Sequence, residues 1–341
     1  MRLTRRRLLL SVVFVVSVVA FLYFVLPKIL GLKDTWSRIQ HGNGWWLAAA
    51  AVLEGLSFLS YVILFRAVFV RDQERIDLRA SYQITMAGLA ATRLFASAGA
   101  GGIALTAWAL RRSGMEPRLV ACRMIAFTAL IYGVFMATLV IGGLGLYLGL
   151  FPGQAPFAIT VVPAIFGAVV IAIFLAVSLL PGDFDRLVAR WTHGGRVGRL
   201  ASGLAAAPAA AASGVRSAIG LVRSGDWALL GAVGWWGFDI AVLWACFHAF
   251  GGSPPTAVVV MSYFVGMLGN VLPLPGGIGG VDGAMIGAFT AFGVSAPLAV
   301  VAVLAYRAFA FWLPTLPGAV AYFQLRRTVS RWRTEPEPSY T

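Results

Sequence analysis

The sequence predicts an all-α polytopic membrane protein. It has about six transmembrane helices and two glycine-rich re-entrant hairpins in inverted repeats, eight apolar segments in all. Three observations predict this. Sixty per cent of the 341 residues are hydrophobic and only 12% are charged, with a mean hydropathy of +0.84; a soluble core could not hide so much apolar surface. Several stretches of about twenty residues carry few or no charges, the length that crosses ~30 Å of hydrocarbon. The basic residues that give the net charge of +14 cluster between the apolar runs, as positive-inside asymmetry requires, rather than forming a nucleic-acid-binding face.

Clear spans are Leu8 to Val25, Trp45 to Phe69, Leu119 to Leu148, Phe157 to Leu180, Trp227 to Phe250 and Leu298 to Phe323. The first has a basic start like a signal peptide, but its apolar run is long and no A-x-A-like cleavage site follows, so it reads as a retained span. Two further stretches are interrupted: Leu78 to Leu110 at SAGAGG, and Thr256 to Phe292 at PLPGGIGG. If both are hairpins that leave on the side they entered, a cytoplasmic N-terminus puts 21 of the 27 basic residues inside. Full crossings would instead push the six arginines of the Pro181–Asp226 loop outside, against the positive-inside rule. Both termini are therefore expected in the cytoplasm, with the protein in the cytoplasmic membrane. Irregular backbone at membrane depth needs protein or water around it, so the hairpins belong inside the bundle.

The chain reads as a single integral membrane domain over 1–325, with a basic, disordered cytoplasmic tail over 326–341. Inside the domain lie repeat 1 (about 78–148), a cytoplasmic amphipathic loop (181–226) and repeat 2 (about 256–323). In the loop, Phe184, Leu187, Val188 and Trp191 recur at helical spacing among arginines, the pattern of an interfacial helix. The Ala-rich part around Pro208 reads as a helical connector. A shift of 178 places Gly99, Gly101 and Gly102 on Gly277, Gly279 and Gly280. Each group leads through a short apolar helix to a glycine-led turn and then a long span carrying R-x-x-A-F, at Arg123–Phe127 and Arg307–Phe311. With the charge-derived topology the repeats are inverted. Broken helices meeting near the midplane are a transporter design; glycine clusters also serve close helix packing alone.

Ionisable groups within spans cost about 2.5–3.5 kcal/mol each on insertion scales and are functional candidates by default. They are Glu54, Arg93, Arg123, Asp239, Asp282 and Arg307. A guanidinium binds phosphate as a fork, and free N–H groups at helix N-termini bind anions. Arg93, Arg123 and Arg307, with Gly99, Gly101, Gly102, Gly276, Gly277, Gly279 and Gly280, are accordingly the expected lipid-phosphate-binding residues. Pro273 and Pro275 shape the second hairpin. Glu54, Asp239 and Asp282 pair with the arginines or couple to protons.

No catalytic constellation stands out. No close Asp pair lies beside a span, and neither D-x-x-D-G nor H-E-x-x-H occurs. The histidines and the two cysteines have no metal-ligand spacing. Catalytic residues, metal ions and cofactors are expected to be absent.

The string PLPGGIGGVDGAMIGAF (Pro273–Phe289), followed by AYRAFAFWLPTLPG (Ala305–Gly318), resembles the transmembrane region of lysylphosphatidylglycerol synthases. The first-half string AGAGGIALTAWALRRSG and the Arg123 segment fit the same pattern, so the resemblance covers nearly the whole chain. It departs in two places: Ser97-Ala98-Gly99 lacks the usual proline, and Asp282 stands where glutamate is common. The resemblance implies a stand-alone, flippase-like member without the soluble aminoacyl-transferase domain. Its expected role is moving an anionic (phospho)lipid or lipid-linked precursor across the membrane. A membrane-embedded lipid-modifying enzyme, or a non-transporting scaffold subunit of an envelope glycolipid pathway, are the alternatives. The expected partners are membrane lipids and envelope-biosynthesis proteins, and no nucleic acid.

Overall fold

The computed structural model describes residues 42–71, 75–94, 100–179, 196–271 and 279–332, and there it is helical without strands. In chain order the helices are α1 (Gly44–Phe69), α2 (Leu78–Leu94), α3 (Ala100–Arg112), α4 (Pro117–Tyr147), α5 (Phe157–Ser178) and α6 (Arg196–Arg223). After a 3-10 turn at Trp227–Leu230 come α7 (Gly231–Ala249), α8 (Thr256–Met267), α9 (Gly280–Ala291) and α10 (Ala296–Arg307). A π turn (Ala308–Trp312) joins α10 to α11 (Leu313–Trp332).

Five stretches are long and apolar enough to cross a membrane: Gly44–Phe69, Pro117–Tyr147, Phe157–Ser178, Trp227–Ala249 and Ala296–Trp332. They match five of the six expected spans; Leu8 to Val25 lies outside the described residues. The outer surface fits a hydrocarbon solvent. On α5, Val162, Ile165, Phe166, Val169 and Ile173 form an exposed apolar stripe at helical spacing. Its other face carries Thr160, Ala164 and Gly167, which pack on α4. A Cβ on Gly143 of α4 would stand 2.3 Å from the Thr160 carbonyl oxygen, and one on Gly167 would stand 2.7 Å from that of Met136. Small residues thus let these two backbones touch, the usual basis of helix association without a hydrophobic driving force between helices.

Contacts at helix ends fix the directions. Arg123 of α4 donates from Nη1 to the Phe69 carbonyl at 2.8 Å, so α4 starts where α1 stops. Arg71 pairs with Asp226 at 2.7 Å, Arg216 of α6 reaches the Ser178 carbonyl at 3.3 Å, and Thr328 of α11 donates to Gln83 of α2 at 2.8 Å. All of these lie at one end of the bundle, which is also where basic residues gather. The opposite end holds the start of α1, whose Asn43 N–H donates to the Ala249 carbonyl at 2.8 Å. Gly252 packs there on Leu298, and Gln154 on Gly293.

Both broken stretches therefore return to the end from which they came. The α2–α3 pair starts and finishes beside Phe69; the α8–α9 pair starts and finishes at the opposite end. None of these four helices exceeds 17 residues, about 25 Å at 1.5 Å per residue. Within each pair the partners pack closely. A Cβ on Gly102 would stand 2.1 Å from Thr92 Oγ1 and 2.5 Å from the Gly88 carbonyl oxygen; one on Gly269 would stand 2.6 Å from that of Gly280. The peptides at the turns themselves, including Gly99, Pro273, Pro275, Gly276 and Gly277, lie outside the described residues.

One boundary differs from the sequence reading. Helix α11 continues past 325 to Trp332, because Leu325 and Val329 are buried and Thr328 holds Gln83. In the 181–226 segment, Arg196–Arg223 form a helix lying on α4 and α5, with Ala212, Val215 and Ala218 buried. Phe184, Leu187, Val188 and Trp191 lie outside the described residues.

Asp226 closes the basic end of α7. Its carboxylate accepts the Ala228 N–H at 2.9 Å and faces Arg71, and that hydrogen bond, followed by the guanidinium, holds its pKa below the ordinary carboxylate value. A depressed carboxylate stabilises the fold above its unfolded pKa, about 3.9, and loses that contribution as pH falls through the folded value. Asp226→Asn keeps the cap acceptor and removes the charge. Acid titration of thermal stability in detergent is expected to show a shallower loss below about pH 4 for this variant than for wild type; superimposable acid limbs would refute this role.

Candidate functional site

Six helices and the π turn bring ionisable side chains together at mid-depth. Glu54 lies ten residues into α1, about 15 Å from its start, and is 2% exposed. Asp239 occupies the middle of α7 and is also buried. Ser57 Oγ of α1 donates to the Trp235 carbonyl of α7 at 2.9 Å and the Asn43 N–H to that of Ala249 at 2.8 Å, so the two helices run antiparallel in a register that brings Glu54 level with Asp239. Asp239 Oδ2 accepts the hydroxyl of Tyr263 from α8 and, at 3.0 Å, that of Tyr306 from α10. Three helices thus converge on one aspartate. Glu54 Oε2 is buried without a hydrogen-bond partner.

The cations stand next to this cluster. Arg93 comes from the inner end of α2, fifteen residues after its start, so α2 delivers it about 22 Å into the bundle. Its guanidinium interacts with Glu54, Asp239 and Tyr306. It lies over the Phe58 ring at 5.6 Å and the Phe311 ring at 5.9 Å, and its Nη1 is buried without a hydrogen-bond partner. Arg307 ends α10 and lies over the same Phe311 ring at 5.2 Å. One phenyl group thus serves both guanidinium groups through its π face, a contact that strengthens where water is excluded.

Arg307 Nε stands 2.5 Å from Asp282 Oδ1. This is a close ion pair without hydrogen-bond alignment, because Oδ1 has no aligned donor. The other Asp282 oxygen accepts the Gly279 N–H at 2.9 Å across the first turn of α9. Gly279 has φ +84°, a backbone that suits glycine and turns the chain sharply into α9. The aspartate thereby ties the inner end of the second helix pair to the long span behind it.

The π turn follows Arg307 for a chemical reason. Pro314 and Pro317 lack N–H groups, and a proline ring crowds the carbonyl four residues back. The chain responds with a wider turn in which the Leu313 N–H reaches back five residues to Ala308. Thr315 Oγ1 donates to the Phe311 carbonyl at 2.5 Å. Single π turns inside α-helices occur frequently at functional sites.

The structure thus brings Glu54, Arg93, Asp239, Asp282 and Arg307 into one centre. Arg123 stands apart at the basic end, bonded to Phe69. Among the glycines, Gly102 and Gly280 lie at close helix contacts, Gly279 makes the sharp turn, and Gly101 opens α3 beside Gly102. Tyr263, Phe58 and Phe311 were not singled out from the sequence, and Tyr306 only as part of the family string. An aromatic residue is unremarkable in an apolar span; the available signal was Tyr306 adjoining Arg307 upstream of two prolines.

The family model described as the lysylphosphatidylglycerol synthase TM region matches residues 8–318. The chain belongs to this family. Curated relatives of the chain include UPF0104 membrane proteins of Methanothermobacter thermautotrophicus. One is 36% identical over 91 residues, 26% of either chain. Another is 32% identical over 115 residues, 32% of this chain and 34% of the relative. The aligned parts thus span about a quarter to a third of these relatives. The protein is accordingly a multi-pass membrane member of the transmembrane-region family.

Proposed function

We propose that this protein is a flippase-like carrier of an anionic (phospho)lipid or lipid-linked precursor across the cytoplasmic membrane, and not an enzyme. The observation that carries this reading is the buried ionic centre at mid-depth, supplied by two helix pairs that enter from opposite ends. Two guanidinium groups there suit a lipid phosphate, and inverted broken helices suit alternating access. The basic end of the bundle faces the cytoplasm together with both termini, and the two helix pairs are re-entrant. Cysteines introduced at Glu116 and Ser295 are then labelled from opposite sides of the membrane; labelling of both from one side overturns this topology.

The transport test is reconstitution into liposomes carrying labelled anionic phospholipid, a polyprenyl-phosphate sugar or a zwitterionic lipid, followed by transbilayer movement. Wild-type protein should accelerate movement of a phosphate-bearing anion over the zwitterionic control. Arg93→Ala and Arg307→Ala should slow it at least about tenfold, the factor of a single lost charge-assisted contact. Arg307→Lys should rescue little, because the fork is gone. Chemical conversion of the lipid without movement would favour an enzyme, and unimpaired movement in all three variants would remove the arginines from the site.

A further inference from the structure

The charges of the centre can be counted. Arg93 and Arg307 contribute two positive charges. Asp282 contributes one negative charge, and Asp239, which accepts two phenol hydroxyl groups, contributes another; Glu54, with an oxygen buried beyond any donor, counts as the neutral acid, because a buried ionised carboxylate without donors is costly. The sum is zero. That is the balance expected where an uncompensated ion is costly. A phosphodiester monoanion bound between the guanidinium groups would leave the centre one charge negative.

Of the carboxyl groups, Glu54 and Asp239 have the most room for correction by a proton. Asp282 lies against Arg307 and accepts the Gly279 N–H. The phenols Tyr263 and Tyr306 already donate to Asp239. Cys246 of α7 is a buried free cysteine. The phenol Tyr61 of α1 lies near both Arg93 and Tyr132 of α4. By contrast, Glu54 Oε2 is buried with no hydrogen-bond partner, as is Arg93 Nη1. An arriving phosphate oxygen has a donor in Arg93 Nη1, and an arriving proton has a seat on the carboxyl pair.

We propose that the Glu54–Asp239 pair takes up one proton for each lipid phosphate that enters, so that the protein is a proton–lipid-anion symporter. The proposal rests on the transport reading and names its energy source. Linkage makes the effect reciprocal: the anion favours the proton as much as the proton favours the anion. The chemistry recognised is a phosphodiester monoanion, whether on a lipid or free.

The test uses full-length protein in neutral nanodiscs, with dihexanoyl phosphatidylglycerol, dimethyl phosphate and dihexanoyl phosphatidylcholine as probes. Calorimetry in buffers of different ionisation enthalpy counts the protons. Wild type should take up one proton per phosphatidylglycerol, and the affinity should fall about tenfold per pH unit as pH rises across the range of uptake. Glu54→Gln/Asp239→Asn keeps hydrogen-bonding groups for both tyrosines but cannot change charge. It should bind phosphatidylglycerol with no proton uptake and with an affinity independent of pH. Zero uptake by wild type, or unchanged uptake by the double variant, overturns the proposal. Equal proton-linked binding of dimethyl phosphate overturns the lipid part and leaves a proton-linked anion site. If the wild-type protein shows the proton count but moves no lipid in liposomes, the transport reading fails and the linkage stands. If it moves lipid with no proton uptake and no response to an imposed pH gradient, the reverse holds. A carboxylic-acid C=O infrared band that appears on phosphatidylglycerol binding in wild type and not in the double variant gives a readout independent of activity.

Discussion

Arg307→Ala is expected to destabilise the protein by about 3–5 kcal/mol, more than any other single charge removal in the bundle. The reason is what stays behind. Asp282 is 2% exposed and faces Arg307 from the first turn of α9; without the guanidinium it becomes a buried carboxylate with no countercharge, and one-sided removal of a buried pair typically costs this much. The same reasoning predicts relief. Asp282→Asn still accepts the Gly279 N–H through its side-chain oxygen but carries no charge. Arg307→Ala/Asp282→Asn should therefore be more stable than Arg307→Ala alone, with a coupling of about 1–3 kcal/mol. Unfolding in mixed micelles with increasing sodium dodecyl sulfate measures all four proteins. Additive losses would mean that the two side chains do not sense one another.

Gly102→Val is the second large effect. A single Cβ at position 102 would meet Thr92 Oγ1 at 2.1 Å and the Gly88 carbonyl at 2.5 Å. The hydroxyl can rotate away, but a helix backbone cannot, so α2 and α3 must separate. Overpacking alone costs about 1–3 kcal/mol. Here the displaced helix also carries Arg93 toward the centre, so lipid movement should fall further than the stability loss explains. Gly55→Ala is the matched control: nothing lies within 4 Å of a Cβ there, and alanine in place of glycine in a helix gains about 0.5–1 kcal/mol. Monomer recovery after detergent extraction and the unfolding midpoint should separate the two variants. Equal behaviour would show that the α2–α3 contact is not needed for folding.

How far the sequence disclosed this protein depended on what each residue had to satisfy. Span positions were legible because a bilayer demands about twenty apolar residues in a row, and Phe157 and Phe69 end their spans as expected. The arginine positions likewise anticipated the helix ends that meet near Phe69 and Asp226. The role of Arg123 was not legible. Its R-x-x-A-F string matches that of Arg307, yet Arg123 follows Gly102 by 21 residues and Arg307 follows Gly280 by 27. Six residues are about 9 Å of helix. That offset leaves one guanidinium on a carbonyl at the bundle end and puts the other in the middle. The convergence of Glu54, Asp239 and Tyr263 was also hidden, because these residues sit on three helices and the first and last are 209 positions apart. No local pattern encodes that meeting.

The π turn after Arg307 holds one residue more than the α-helix on either side. Such a surplus can travel. If it moves one position toward the N-terminus, each residue it passes rotates by about 100° about the helix axis, while the distant ends of the span keep their places. Arg307 is the first residue it would pass. The long last span thereby contains a rotary coupling of very small stroke. It could present the same guanidinium to Asp282 or to a different neighbour without unfolding a turn of helix.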